Sequence, residues 1–199
     1  GATTSLVQDI NPGSDDSEPH ELIVYSNKLY FSAESNTTST LGRKLWEYDG
    51  NTMTYIFSTI GNSFSNPYGF TIYNNKLYFG VGYSGESELW EYDGTNHLLV
   101  KDINPSNNGS QLGGFTVYNN KLYLVHTAET RTNLYISAYD GNNWSDDEVI
   151  YGQYSGNAPT LTNFDGELFL LHTGELYKGL YISKFQNGEF LDDEELSSG

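Results

Sequence analysis

Apolar and polar positions alternate in short runs along this chain, and one such run recurs four times. In its clearest copy, Asn75-Lys76-Leu77-Tyr78-Phe79 is followed by a variable loop and then by Glu88-Leu89-Trp90-Glu91-Tyr92-Asp93-Gly94. The other copies are 27–31 with 44–50, 120–124 with 133–141, and 166–170 with 180–188. Short β-branched and aromatic runs bounded by Gly, Asn, Asp and Pro are strand signals. Each unit holds four of them, A to D; in the second unit they are Phe70–Tyr73, Lys76–Val81, Glu88–Tyr92 and His97–Ile103. No stretch shows a helical period with caps. The units span about 21–60, 69–103, 114–150 and 159–196, a period of 44 to 48 residues. Repetition at that period predicts one domain, 1–199, built of stacked supersecondary units.

The connections and the strand faces predict how the units assemble. A to B is always a tight polar pair (Ser26-Asn27, Asn74-Asn75, Asn119-Asn120, Asp165-Gly166), and C to D is Asp-Gly three times and Asn187-Gly188 once. Both are the chemistry of hairpin turns that need positive φ. The B–C and D–A loops are longer and differ between copies, so an up-and-down sheet gathers them on one variable face. In strand B, Leu77 and Phe79 point to one side while Tyr78 points to the other. Both faces of every sheet therefore need cover. A ring of radially stacked four-stranded blades provides it, and the predicted fold is an all-β, four-bladed β-propeller. Ser5–Ile10 repeats the pattern of His97–Ile103. As a strand, out of phase within 1–18, it could close a four-bladed ring, but Phe190–Leu196 competes for the same last outer position; one of the two is surplus, so either an end packs peripherally, or the chain belongs to a longer array, or two chains combine into a larger ring.

Lys-Leu-Tyr-Phe, Glu88 to Gly94 and Val100 to Pro105 resemble the bacterial repeat family named for its ELWxxDGT signature. In the later half, Leu134 to Ser137, Tyr139 to Gly141 and Ala158 to Leu161 are more similar to the repeats of lectin-type propellers. The first resemblance implies propeller blades and a secreted or cell-surface protein. The second implies carbohydrate binding.

Composition narrows the partners. Nine basic against 26 acidic residues give a net charge of −17, which repels phosphate backbones and anionic lipid surfaces, so nucleic acid is excluded as an expected partner. No apolar run is long enough to span a membrane, and Gly1 to Ser5 reads as a processed end. Cysteine is absent, so disulfides and thiolate metal sites are unavailable. The 17 Tyr, 10 Phe and 3 Trp supply ample area for a core.

Several residues invite a chemical reading. Trp46 and Trp90 could stack on sugars, but their repetition inside strand C assigns them to packing. Asp49, Asp93 and Asp140 are assigned to turn geometry for the same reason. Asp9, Asn11 and Asp15 place oxygens at alternate positions, the pattern with which a loop wraps calcium; this is the one candidate metal site. His126 and His172 end two B strands at matching places and are candidate ligand contacts or loop anchors. Nucleophile elbows, phosphate loops and zinc motifs are lacking. The pairs Asp146-Asp147 and Asp192-Asp193 read as solvated.

The variable face remains the main candidate. It collects Phe64, Tyr68, Tyr83, Tyr154 and Tyr177 with Asn66, Glu86, Glu129, Arg131 and Glu175. Flat rings among short polar groups suit saccharides, and Tyr with Arg also suits protein partners. The expectation is a non-catalytic, lectin-like module acting through the B–C and D–A loops. The alternative is a protein-interaction or adhesion module on that face, and a hydrolase would require two loop carboxyls converging in a pocket.

Overall fold

A computed structural model describes residues 3–36, 42–56, 66–83, 86–103, 112–127, 133–174 and 179–196, without the side chains of Tyr83 and Glu86. Its described residues form four antiparallel sheets and no helix. The first sheet contains β1 (His20–Tyr25), β2 (Lys28–Glu34), β3 (Arg43–Tyr48) and β4 (Met53–Tyr55). The second contains β5 (Pro67–Tyr73), β6 (Lys76–Tyr83), β7 (Glu86–Tyr92) and β8 (His97–Lys101). The third contains β9 (Leu112–Tyr118), β10 (Lys121–Thr127), β11 (Asn133–Tyr139) and β12 (Glu148–Tyr154). The fourth contains β13 (Thr160–Phe164), β14 (Glu167–Thr173) and β15 (Leu180–Gln186), and two short pieces, β16 (Glu189–Phe190) and β17 (Glu194–Glu195), share its outer edge by pairing with β15. Strands run up and down in sequence order within each sheet. This is the blade architecture of a β-propeller.

Local chemistry forms the hairpins. At the A–B turns both central residues have positive φ: 47° and 63° at Ser26 and Asn27, 46° and 58° at Asn74 and Asn75, 45° and 57° at Asn119 and Asn120, 52° and 78° at Asp165 and Gly166. Such turns match the twist of the flanking strands. At the C–D turns Asp93 Oδ1 accepts backbone N–H bonds from Thr95 and Asn96 at 2.8 and 2.7 Å. Asp49 and Asp140 brace their turns in the same way. Those N–H donors hold all three carboxyls below the usual carboxylate range. The repeated Asp-Gly is turn chemistry.

Packing follows from the two-faced strands. Tyr25, Tyr30 and Leu45 of the first sheet bury against Leu77, Phe79 and Val81 of the second. Tyr78 and Leu89 of the second bury against Leu112, Leu122 and Leu124 of the third. Val125, Leu134 and Ile136 of the third bury against Leu161, Leu168 and Leu170 of the fourth. Trp46 is buried and Trp90 packs on the first of these cores. The innermost strands β9 and β13 come closest together. A Cβ on Gly113 would lie 2.3 Å from the Pro159 carbonyl oxygen, and one on Gly114 would lie 2.5 Å from the Leu161 nitrogen. Only glycine permits that approach.

The two ends of the array differ from expectation. Residues 5–10 form no strand, because the outer edge of the fourth sheet is taken by β16 and β17. Instead Ile10, 7% exposed, covers Phe31, Ala33 and Trp46 on the outward face of the first sheet, and Ser35 Oγ donates to its carbonyl at 2.6 Å. Ile103 serves the junction of the second and third sheets in the same way. Among the described residues the buried cores link consecutive sheets and none links the fourth to the first. Among the described residues no apolar cluster covers the outward face of the fourth sheet, where Phe164 is 69% exposed.

Within the first two junctions lies a repeated polar triad. Glu47 accepts from Lys28 Nζ at 2.6 Å and from Tyr30 Oη at 2.6 Å. Glu91 accepts from Lys76 Nζ at 2.5 Å and from Tyr78 Oη at 2.9 Å. Burial, reinforced by the glutamate bond, pushes both tyrosine hydroxyls up. Removing one partner of such a buried group strands the others without an acceptor. Glu91→Ala is expected to lower unfolding free energy by about 1–3 kcal/mol in urea titration; a change within about 0.5 kcal/mol, as at an ordinary surface site, would show that the triad is not a stabilising unit.

Candidate functional site

Of the residues expected on the variable face, Asn66, Tyr68 and Tyr154 have described side chains. Tyr68 lies in the second junction: its hydroxyl donates to the Leu112 carbonyl at 3.1 Å, and its ring lies where a Cβ on Gly80 would approach to 2.7 Å. Desolvation pushes it up to about 12. Tyr154 is exposed at the end of β12, and Asn66 accepts the Arg43 backbone N–H at 3.1 Å. Tyr83 and Glu86 end β6 and begin β7. Phe64, Glu129, Arg131, Glu175 and Tyr177 lie outside the described residues.

The Asp9–Asp15 loop is organised by its own hydrogen bonds. Asp9 Oδ1 accepts the Asn11 N–H at 3.2 Å, and Asn11 Nδ2 donates to the carbonyls of Asp15 and Asp16 at 3.2 and 2.9 Å. Asn11 Oδ1 accepts the Asn36 N–H at 2.8 Å, and the Asp15 carboxylate accepts from Ser14 Oγ at 3.2 Å. Asn11 thereby ties the N-terminal loop to the end of β2.

His126 and His172 do occupy matching places, inside successive junctions. His126 stacks on Tyr135 with ring centroids 5.4 Å apart, and His172 stacks on Tyr181 at 5.6 Å. Each faces an aspartate that follows its C–D turn: His172 Nε2 lies 3.0 Å from Asp193 Oδ1, and His126 Nε2 lies 3.5 Å from Asp147 Oδ1. The preceding sheet adds a donor to a serine on the same face. Lys101 Nζ reaches Ser137 Oγ at 3.1 Å and Asp147 Oδ1 at 2.6 Å, while Gln153 Nε2 reaches Ser183 Oγ at 2.9 Å. Asp147 and Asp193 thus turn inward, contrary to their reading as solvated acids. Burial works to raise Asp147, but the neighbouring His126 ring and the hydrogen bond from Lys101 outweigh it and hold the carboxyl well below the usual range.

A cleft opens between the outer strands of the third and fourth sheets. It comprises a cavity of about 520 Å³ and a neighbour of about 230 Å³ that share Ile136, Glu148, Phe185 and Gly188 in their walls. Ile136, Ile150, Phe185 and Phe190 give it an apolar floor, and Glu148, Tyr151 and Glu189 line its wider part. The narrow part runs to Lys121, Tyr123, Ala138 and Ser145. Gly188 places the cleft toward the C–D turns, on the side opposite the variable loops. One signal in the sequence marks it: where strand C reads Leu-Trp-Glu-Tyr-Asp-Gly in the first two units, the third has Ile-Ser-Ala-Tyr-Asp-Gly, with Ala138 in the glutamate position.

No family model matches the chain, and no curated protein does. Solved structures of similar fold include a GH62 hydrolase in complex with xylotriose, with TM-score 0.51 and 11% identity over 92% of this chain and 71% of that one. A mutant Aleuria aurantia lectin in complex with Fucα1-6GlcNAc has TM-score 0.51 and 13% identity over 89% of this chain and 61% of the lectin. The same lectin with α-methyl-L-fucoside gives TM-score 0.51 and 12% identity over 89% and 60%. The chain therefore spans about three fifths of the lectin. At these identities the likeness is one of fold, and that fold carries both lectins and glycoside hydrolases.

The Asp147 cluster gives a signed pH dependence. A carboxyl held below its unfolded value, about 3.9, stabilises the folded state above that value and loses the contribution progressively as pH falls from it through the lower folded value. The difference in unfolding free energy between the protein and Asp147→Asn is expected to be constant above about pH 5 and to shrink at lower pH. A difference unchanged down to about pH 3 would show that the cluster does not hold the carboxylate ionised.

Proposed function

We propose that this chain is a non-catalytic carbohydrate-binding module acting in a secreted or surface setting. The observation that carries the reading is the cleft between the third and fourth sheets, with Phe185 and Phe190 in its floor and Glu148, Tyr151 and Glu189 around its wider part. Pyranose rings present apolar C–H faces that pack on aromatic rings, and their hydroxyls donate to carboxylates. The size is that of a small-molecule site. Sugar-bound proteins of similar fold, a lectin with a fucoside and a hydrolase with xylotriose, support the same class of ligand.

Glu148 and Glu189 share the cleft, so cleavage is the reading that competes with binding. Glycoside hydrolysis uses a pair of carboxyl groups, one of them kept protonated to donate to the leaving oxygen. Asp147, which also lines the cleft, is held ionised by Lys101 and His126 and so is not the protonated member of such a pair. A second reading, a protein-binding module, draws on the outward face of the fourth sheet around the exposed Phe164. A partner complex insensitive to competing sugars would favour it.

The test is calorimetric titration with a panel of neutral and acidic oligosaccharides, with reducing ends assayed in parallel. Saturable binding without sugar release is expected, and Phe190→Ala should weaken it about tenfold, the loss of one aromatic contact of about 1.4 kcal/mol. Absence of heat across the whole panel would remove the carbohydrate reading, and release of reducing ends would replace it with a hydrolase.

A further inference from the structure

The polar triads of the first two sheets have a counterpart in the third that lacks one member. Tyr30 pairs with Glu47, Tyr78 with Glu91 and Tyr123 with Ala138, at the same register between second and third strands. Lys28, Lys76 and Lys121 each stand two residues before the tyrosine. In the fourth sheet the charges exchange places: Glu167 and Lys184 pair at 2.5 Å beside Phe169. Three of the four sheets thus hold a lysine–carboxylate bond here, and the third holds a lysine, a tyrosine and an alanine.

The deleted carboxylate leaves space rather than a collapsed core. The narrow cavity of about 230 Å³ is bounded by Lys121, Tyr123 and Ala138, with Phe185 of the fourth sheet on its far side. Phe185 meets the Tyr123 ring edge-on at 5.7 Å, so aromatic packing fixes the ring. Among the described residues Lys121 makes no ion pair and the Tyr123 hydroxyl makes no hydrogen bond, whereas both equivalents in the earlier sheets are bonded to glutamate. A cationic donor and a hydroxyl donor flank the position that a carboxylate fills elsewhere in the same molecule.

We infer that this cavity is a subsite for a ligand carboxylate, which completes the triad by accepting from Lys121 Nζ and Tyr123 Oη as Glu47 and Glu91 accept from their partners. Resting on the carbohydrate reading of the cleft, it assigns the ligand class as saccharides containing a hexuronic acid. The sugar ring extends over Phe185 toward the wider part, where Glu148 and Glu189 accept its hydroxyls. Those carboxylates and the net charge of −17 oppose an anion at long range, so the preference comes from short-range bonds. It should survive added salt, which screens the repulsion.

Titrations with hexuronate oligosaccharides, neutral hexose oligosaccharides of equal length and acetate test this. The uronates should bind at least about tenfold tighter than the neutral sugars, one charge-assisted contact being about 1.4 kcal/mol or more. Ala138→Glu supplies the missing carboxylate from the chain itself. It should raise the melting temperature and abolish the uronate preference while neutral sugars still bind. Lys121→Met, at an exposed side chain that folding tolerates, should remove the preference without the gain in stability. Equal binding of uronates and neutral sugars, or an undiminished preference in both variants, would overturn the subsite and leave the carbohydrate reading standing. Lys121-dependent binding of acetate with no binding of any oligosaccharide would support the carboxylate site and overturn the carbohydrate reading. No binding of any probe would overturn both.

Discussion

Every sheet in this molecule carries large apolar groups on both faces, so no sheet can meet water on either side without exposing them. The alternation Leu77, Tyr78, Phe79 is the smallest expression of that constraint, with Leu77 and Phe79 buried against the first sheet and Tyr78 against the third. Stacking in sequence order satisfies it at three junctions, and the capping Ile10 satisfies it on the outward face of the first sheet. Tight turns, glycine contacts and buried polar groups are all arranged around those joints. Tyr25 and Tyr73, for example, each reach across a joint to donate to the next A–B turn, at the carbonyls of Asn75 and Asn120, 2.8 and 2.9 Å away.

What could be read from the sequence was what depends on neighbours along the chain. Asn74-Asn75 and Asp93-Gly94 announce hairpins because positive φ and side-chain bonding to adjacent amides are local properties. Trp46 and Trp90 announce a core because they recur at one place in successive units. The segment 5–10 misled for the complementary reason. It resembles 97–103 locally, but a strand needs a free edge, and β16 and β17 occupy the one it would have joined. The equivalence of His126 and His172 was legible; their aspartates were not, since Asp147 and Asp193 turn inward only after the hairpin folds back onto its own sheet.

The joints share an apolar design and differ in their polar insertions. The first two contain lysine–glutamate–tyrosine triads, the second and third contain stacked histidines facing aspartates, and the third alone has an alanine where the triad carboxylate belongs. Buried polar groups are costly unless satisfied, so such substitutions alter a joint more than an exchange of one aliphatic residue for another. A repeat protein of this kind can change the chemistry of one joint while its neighbours keep the stack in register.

Gly113 and Gly114 give that arrangement a direction. By letting β9 lie against the backbone of Pro159 and Leu161, they shut the axial side of the joint whose outer side forms the cleft. Among the described residues, that leaves the circumference as the way in for the proposed ligand. A polymer therefore cannot thread through the joint as through an eyelet. A chain bound as proposed would lie along the rim of the joint, touching it by an end or by a stretch of its length.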